Sequence, residues 1–166
     1  MPETETKLPK KFQPILKSLI EIFALPLIVY AVMTTIIAGA VVQGDSMQPN
    51  YHSNMLVFAA RPDKPDHDDV ILIRSKTLDE VIIKRVIGLP GDTIEVKNGT
   101  TYRNGQPVNQ EYTVYPDTRD TPRLTVPDNT VFVMGDNRPN SLDSRSERLG
   151  PVPAGEVIGV VFFHIG

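Results

Sequence analysis

Residues Thr93–Val108 read TIEVKNGTTYRNGQPV, with Asn98-Gly99 and Asn104-Gly105 set between short alternating runs. Asn-Gly is the dipeptide that tight two-residue hairpin turns favour, because both central residues take positive φ. The stretch predicts strands at Thr93–Lys97, Thr101–Arg103 and Gln106–Val108. Asn98-Gly99-Thr100 also matches a glycosylation acceptor, but the turn explains it more simply. Val70–Ile73, Val81–Ile83, Thr130–Met134 and Val157–His164 are further β-branched or aromatic runs. Most of the 15 prolines fall between these runs, as edge and loop punctuation. No repeat, second domain or strong 3.6-residue period follows the amino-terminal apolar segment. Residues 41–166 are therefore expected to form one all-β domain, long enough to bury a core.

The whole chain has 166 residues, a formal net charge of −3, a pI near 5.6 and no cysteine. That charge balance speaks against a nucleic-acid partner. The lack of thiols excludes disulfides, thiolate metal sites and cysteine nucleophiles, without fixing the redox compartment. His52, His67 and His164 are far apart and lack metal-ligand spacing. No metal or other cofactor is expected.

Ile22–Val42 reads IFALPLIVYAVMTTIIAGAVV without a charge. At 1.5 Å per residue it is long enough for a hydrocarbon core of roughly 30 Å. Ala38-Gly39-Ala40 looks like a small-residue cleavage site, but the run exceeds the roughly 7–15 apolar residues of a signal peptide. A retained transmembrane helix over 19–40 is expected, with Pro26 kinking it or marking an early turn. A strand should start near Val41-Val42-Gln43. Lys7, Lys10, Lys11 and Lys17 precede the span, and no Lys or Arg follows it before Arg61. The positive-inside rule then predicts a cytoplasmic tail over 1–18, disordered over 1–14, and an extracytoplasmic domain over 41–166.

Three segments put polar residues where a β domain has little use for them. Gly44-Asp45-Ser46-Met47-Gln48-Pro49 follows the span directly; by itself it also reads as a turn leaving the bilayer. In Val81–Asp92, alternation puts Lys84 on one strand face with Ile82 and Val86, and Arg85 on the other. A lysine among apolar neighbours loses charge stabilisation, and its pKa falls towards that of a base working near pH 8. Alone, the segment reads more simply as a lysine snorkelling at a strand edge. Gly135–Arg145 reads GDNRPNSLDSR, dense in hydrogen-bonding groups just after an apolar strand; a solvated loop is the plainer alternative.

In this order the three segments resemble the motifs of the type I signal peptidase family, membrane-bound serine endopeptidases that remove signal peptides. The likeness runs from the span to about Gly150 and is to the compact single-span bacterial form. It implies a mostly antiparallel β fold around two sheets. It implies Ser46 as nucleophile and Lys84 as general base, a Ser–Lys variant of the serine triad. Ser141 matches a serine that hydrogen-bonds and orients the lysine, Asp143 and Arg145 a supporting ion pair, and Gly135 and Asp136 the floor of the site. Val42, Met47, Ile82 and Ile83, with Gly44, fall near shallow apolar S1 and S3 pockets that accept alanine-like side chains, hence cleavage after Ala-X-Ala. The implied partners are secretory preproteins, the lipid bilayer and the translocation machinery.

Two positions depart from the family pattern. The Gly-Asp-hydrophobic motif stands as Asp68-Asp69-Val70. Gly44 stands where well-known members carry a serine whose hydroxyl helps hold the oxyanion. If only that hydroxyl is missing, Gly44→Ser should raise kcat; if the backbone needs glycine, it should lower activity and stability. The gain is the expectation, since relatives with serine show that the fold admits a side chain. Two rival functions are a self-cleaving repressor-type Ser–Lys protease and a single-pass adaptor that binds exported chains without catalysis. The apolar span and the third motif disfavour the first; the presence of both Ser46 and Lys84 disfavours the second.

Overall fold

The computed structural model describes residues 13–61, 64–115 and 119–166. Most of the expected cytoplasmic tail, with Lys7, Lys10 and Lys11, lies outside them. The chain divides into two compact units, one ending at Ile36 and one running from Ile37 to Gly166.

In the first unit, α1 (Gln13–Ile36) is a single helix of 24 residues, about 36 Å long at the usual rise. Large apolar side chains such as Leu19, Phe23, Leu27 and Tyr30 stand exposed on it. Lys17–Ile36 has a mean hydropathy of 2.1, long and apolar enough to cross a membrane. Pro26 sits inside the helix, not in its first turn. The helix stops four residues before the expected boundary at Ala40. Ile37–Ala40 pair instead with Val57–Ala60, because those backbone groups find a complete strand partner there.

The second unit contains β1 (Ile37–Val41), β2 (Leu56–Ala60), β3 (Val70–Ser75), β4 (Glu80–Gly88), β5 (Thr93–Lys97) and β6 (Thr100–Arg103). It continues with β7 (Gln106–Pro107), β8 (Thr121–Thr125), β9 (Thr130–Met134), β10 (Val152–Pro153) and β11 (Val157–Ile165). A seven-stranded sheet has the order β1-β2-β11-β3-β4-β9-β10, and a four-stranded sheet the order β7-β6-β5-β8. The strand pairs are antiparallel. The fold is thus mostly antiparallel β in two sheets. Asn98 and Gly99 take φ of 51° and 78°, and Asn104 and Gly105 54° and 79°, as the hairpin reading of Thr93–Val108 requires.

The core explains why β3 is apolar without alternation. Val70 and Leu72 pack with Val42, Met47 and Val57 on one face, and Ile71 and Ile73 with Val86, Val131 and Val133 on the other. A strand buried on both faces reads as a continuous apolar run. β9 is similar: Phe132 and Met134 turn to a third cluster with Ile94 and Val96 of the small sheet. Asp68 takes φ of 67°, a left-handed conformation that Asp tolerates better than most residues. Its N–H donates to the Val86 carbonyl at 2.9 Å. Asp68-Asp69-Val70 therefore turns on an aspartate where the family pattern has glycine.

Candidate active site

β1 delivers the chain into a loop that carries Ser46. Gly44 has φ of 81°, and both its backbone groups are held by one side chain. Its N–H donates to Ser53 Oγ at 3.0 Å, and the Ser53 hydroxyl donates to its carbonyl at 3.3 Å. Nothing lies within 4 Å of where a Cβ would project, so space is not the obstacle at this position. The obstacle is the left-handed backbone, which costs an L side chain roughly 1–2 kcal/mol. The expected gain from Gly44→Ser gives way to the other account, in which the backbone needs glycine. On the far side of the nucleophile, the Asn137 N–H donates to the Ser46 carbonyl at 3.0 Å, and Asn137 Nδ2 to the Asp45 carbonyl at 3.0 Å.

Lys84 comes from the middle of β4, opposite Ile71, with the Ile82–Ile73 pair beside it. It is 4% exposed. Its Nζ lies 2.7 Å from Ser46 Oγ and donates to the Ile83 carbonyl at 3.0 Å. Burial lowers its pKa from 10.5 to about 8, against the opposing pull of the Asp143, Glu80 and Asp136 carboxylates. A lysine in this state supplies a neutral amine at mildly alkaline pH, already in contact with a hydroxyl.

Around this pair, two buried ion pairs fix the backbone. Arg145 grips Asp143 with both prongs, Nε to Oδ1 at 2.8 Å and Nη2 to Oδ2 at 2.7 Å, and Asp143 also takes the Gly135 N–H at 3.0 Å. Burial pushes the Asp143 carboxyl up, but the Arg145 bonds and charge and the Gly135 N–H outweigh it and hold it below its usual range. Arg85, on the opposite strand face from Lys84, grips Asp136 through Nε at 2.8 Å and Nη2 at 2.7 Å. Asn50 Nδ2 adds a bond to Asp136 at 2.8 Å, and the Arg85 guanidinium lies 4.2 Å from the centre of the Tyr112 ring. Such bidentate pairs are strong and directional.

Ser141 departs from the lysine-orienting role that the resemblance gives it. Its buried Oγ lies close enough to Asp143 to help hold that carboxyl down, yet makes no hydrogen bond of ordinary geometry. Gly135 is where the parts converge. A Cβ there would collide with Ser141 Oγ and the Ser46 carbonyl, and would lie 2.6 Å from Ser141 Cβ.

Ser46 and Lys84 open into a cleft of about 680 Å³, lined among others by Val42, Gly44, Leu78, Ile82 and Ile83. Met47 is not part of the lining. It is 1% exposed, in the core with Val42, Met55 and Val57, because the turn after Ser46 sends its side chain under the sheet. β9 pairs with β4 only over Arg85–Gly88, so the Glu80–Lys84 edge faces the cleft without a strand beside it. Sequence reasoning missed Asn137, Ser53 and the Arg85–Asp136 pair. Asn137 stood within a quoted motif, whereas nothing in the sequence announces that Arg85 meets a carboxylate 51 positions away.

A family model described as signal peptidase, peptidase S26, matches residues 15–165. Signal peptidase I S of Bacillus subtilis is 40% identical over 126 residues, covering 67% of each chain. Signal peptidase I P of Bacillus subtilis subsp. natto is 35% identical over 156 residues, covering 84% of each. A probable signal peptidase I-1 of Synechocystis is 45% identical over 96 residues, 58% of this chain but 48% of that protein, so here the match spans about half the relative's length. A crystal structure of a signal peptidase I from Enterococcus faecalis superposes with a TM-score of 0.53 at 34% identity, covering 60% of this chain and 98% of that one. With a serine and a buried lysine in contact, on a two-sheet β scaffold that follows an apolar helix, the chain belongs to the signal peptidase family, peptidase S26.

Proposed function

We propose that this chain is a membrane-anchored Ser–Lys endopeptidase that removes signal peptides from exported preproteins after small residues. The observation that carries this reading is the 2.7 Å contact between Lys84 Nζ and Ser46 Oγ at the wall of a peptide-sized cleft. Neutral Lys84 takes the hydroxyl proton as Ser46 Oγ attacks the scissile carbonyl, and passes it to the leaving amine. It then activates the water that releases the acyl chain. The Ser46 N–H has no partner among the described residues, which leaves it for the developing oxyanion. Asp143, Arg145, Gly135 and Asp136 act as positioning residues, holding the loops that carry the dyad.

The free Glu80–Lys84 edge seats the substrate as an added strand. In an extended peptide alternate side chains share a face, so P1 and P3 together meet the apolar wall formed by Val42 and Ile83, which lie in one cluster. Ile82, the preceding residue of β4, borders the cleft from the other strand face. α1 anchors the chain with its amino terminus cytoplasmic, which leaves the β domain outside, facing preproteins at the translocation machinery. The test is to incubate the detergent-solubilised protein with a preprotein and sequence the new amino terminus. Cleavage after an Ala-X-Ala site is expected, and replacing the P1 alanine by leucine or phenylalanine should slow it by at least about 10²-fold. Efficient cleavage after a bulky P1 residue would overturn the small-pocket claim, and no cleavage of any preprotein would overturn the function.

The lysine also sets a pH dependence. Only the neutral amine accepts a proton, so kcat/KM should rise through a pKa of about 8. It should fall roughly tenfold per pH unit below that value. A profile already flat at pH 6 would remove Lys84 from the base role. Gly44→Ser is expected to lower the thermal midpoint by a few degrees, from roughly 1–2 kcal/mol of backbone strain, and to give no rise in kcat. A higher kcat at an unchanged midpoint would restore the missing-hydroxyl account.

A further inference from the structure

The strand edge that seats the substrate ends on a carboxylate. Glu80 opens β4 and lines the same cleft as Ser46 and Lys84. We propose that Glu80 is a specificity-determining residue, a subsite that selects preproteins carrying a lysine or arginine at P4. The proposal rests on the reading that the substrate adds as a strand along the Glu80–Lys84 edge.

Register is the first argument. Side chains alternate along β4, so Glu80, Ile82 and Lys84 share one face and Val81 and Ile83 the other. Their partners on β3 divide in the same way, Ser75, Ile73 and Ile71 against Arg74 and Leu72. β9 occupies the β4 edge from Arg85 onward, so a substrate strand can extend along it only from Lys84 towards Glu80. Residues side by side on neighbouring strands point to the same face. With P1 beside Ile83, next to the dyad, P2 falls beside Ile82, P3 beside Val81 and P4 beside Glu80. P1 and P3 then turn to the face that Ile83 shares with Val42, and P2 and P4 to the face of Ile82 and Glu80.

Charge is the second argument. Asp45, Glu80 and Lys84 are the charged residues among those lining the cleft. Lys84 is 4% exposed and engaged with Ser46 and the Ile83 carbonyl, so it offers a peptide no free cation. Asp45 already accepts the Gln48 side-chain amide at 2.8 Å. Glu80 has no ion pair among the described residues. Its charge is nonetheless felt inside the site: with Asp143 and Asp136 it opposes the lowering of the Lys84 pKa by burial. That effect acts between positions whose Cα atoms lie about 13 Å apart along the strand, farther than fully solvated charges reach. Leu78 and Ile82, two residues to either side, line the cleft as well. A lysine or arginine suits this setting, since its apolar stem can lie on Ile82 while its head reaches the carboxylate.

The experiment uses the full chain in detergent micelles and one preprotein with an Ala-X-Ala site, made with lysine, alanine or glutamate at P4. Both kcat and KM are measured for the wild type, Glu80→Gln and Glu80→Lys. In kcat/KM the wild type should favour P4 lysine over alanine about fivefold and disfavour glutamate about fivefold, as a partly exposed ion pair allows. The difference should lie in KM, because the pair forms alike in ground and transition states. Added salt should shrink it. Glu80→Gln should cleave the three substrates alike, and Glu80→Lys should reverse their order. Ratios within each variant are compared, so a general loss of activity or stability cancels. Moving the lysine to P2, beside Ile82, or to P4′ should bring no preference. Indifference of the wild type to the P4 charge, an unchanged order in Glu80→Gln, or a larger response at P2 or P4′ overturns the proposal. No cleavage of the P4-alanine preprotein would overturn the proposed function and the subsite with it, whereas cleavage blind to P4 overturns the subsite alone.

Discussion

Ser46→Ala and Lys84→Met are each expected to reduce preprotein cleavage to background. Removing a positioned base costs about 10²–10⁴ in rate, and removing the nucleophile ends the acyl-enzyme route altogether. The two variants should differ in stability. In the folded protein Lys84 has a pKa of about 8, against 10.5 as a model value, a difference of about 3 kcal/mol between the two states. Below pH 8 both folded and unfolded chains hold the proton, and the folded state bears the whole desolvation penalty. Between pH 8 and 10.5 the folded state has released it while the unfolded chain has not, so stability rises with pH across that window. Lys84→Met removes the penalty and should raise the thermal midpoint at pH 7 by several degrees while abolishing cleavage. A dead variant with a lower midpoint would mean that the lysine is structural. His52→Gln, His67→Gln and His164→Gln combined should leave substantial activity, and chelators should have no effect, there being no candidate metal cluster among the described residues. A folded but inactive triple histidine variant would refute the Ser–Lys assignment.

The sequence was most legible where one residue type has one physical use. Asn98-Gly99 and Asn104-Gly105 marked their turns because few other dipeptides tolerate two successive positive φ values. The Lys84 environment followed from alternation, since a strand that pairs Ile71 with Lys84 and Ile73 with Ile82 leaves the ammonium little water. Strands without such marks were missed. β8 reads TPRLT, with a proline that is tolerated because the strand is the edge of the small sheet. β1 was hidden in the apolar run, as Ile37–Ala40 have the composition of the helix before them and differ only in having β2 as a partner. Within the site, Gly44 illustrates a general limit. A glycine required by positive φ and a glycine that merely lacks a side chain look alike in sequence, and only the φ of 81° separates them. Met47 failed for a related reason: neighbours of a nucleophile in sequence diverge in space, and the turn after Ser46 buries the next side chain.

Gly135→Ala should be almost as damaging to activity as loss of the dyad, by a different route. The added methyl would overlap Ser141 Oγ and the Ser46 carbonyl, with Ser141 Cβ at 2.6 Å. Its neighbours on one side have little freedom to yield. Met134, just before it, is paired to Arg85 in the sheet, and the Gly135 N–H is bonded to Asp143, itself clamped by Arg145. The softer side is the loop carrying Ser46, tied by its carbonyl to the Asn137 N–H. Overpacking of this kind costs about 1–3 kcal/mol of stability, which a folded domain can survive. Displacing Ser46 by about 1 Å from Lys84 is enough to cost roughly 10² in rate. Gly135→Ala should therefore fold, melt a few degrees early, and lose kcat by two orders of magnitude or more with a smaller change in KM. Wild-type kcat in the folded variant would show that the Ser46 loop yields without disturbing the dyad, and that Gly135 serves packing rather than alignment.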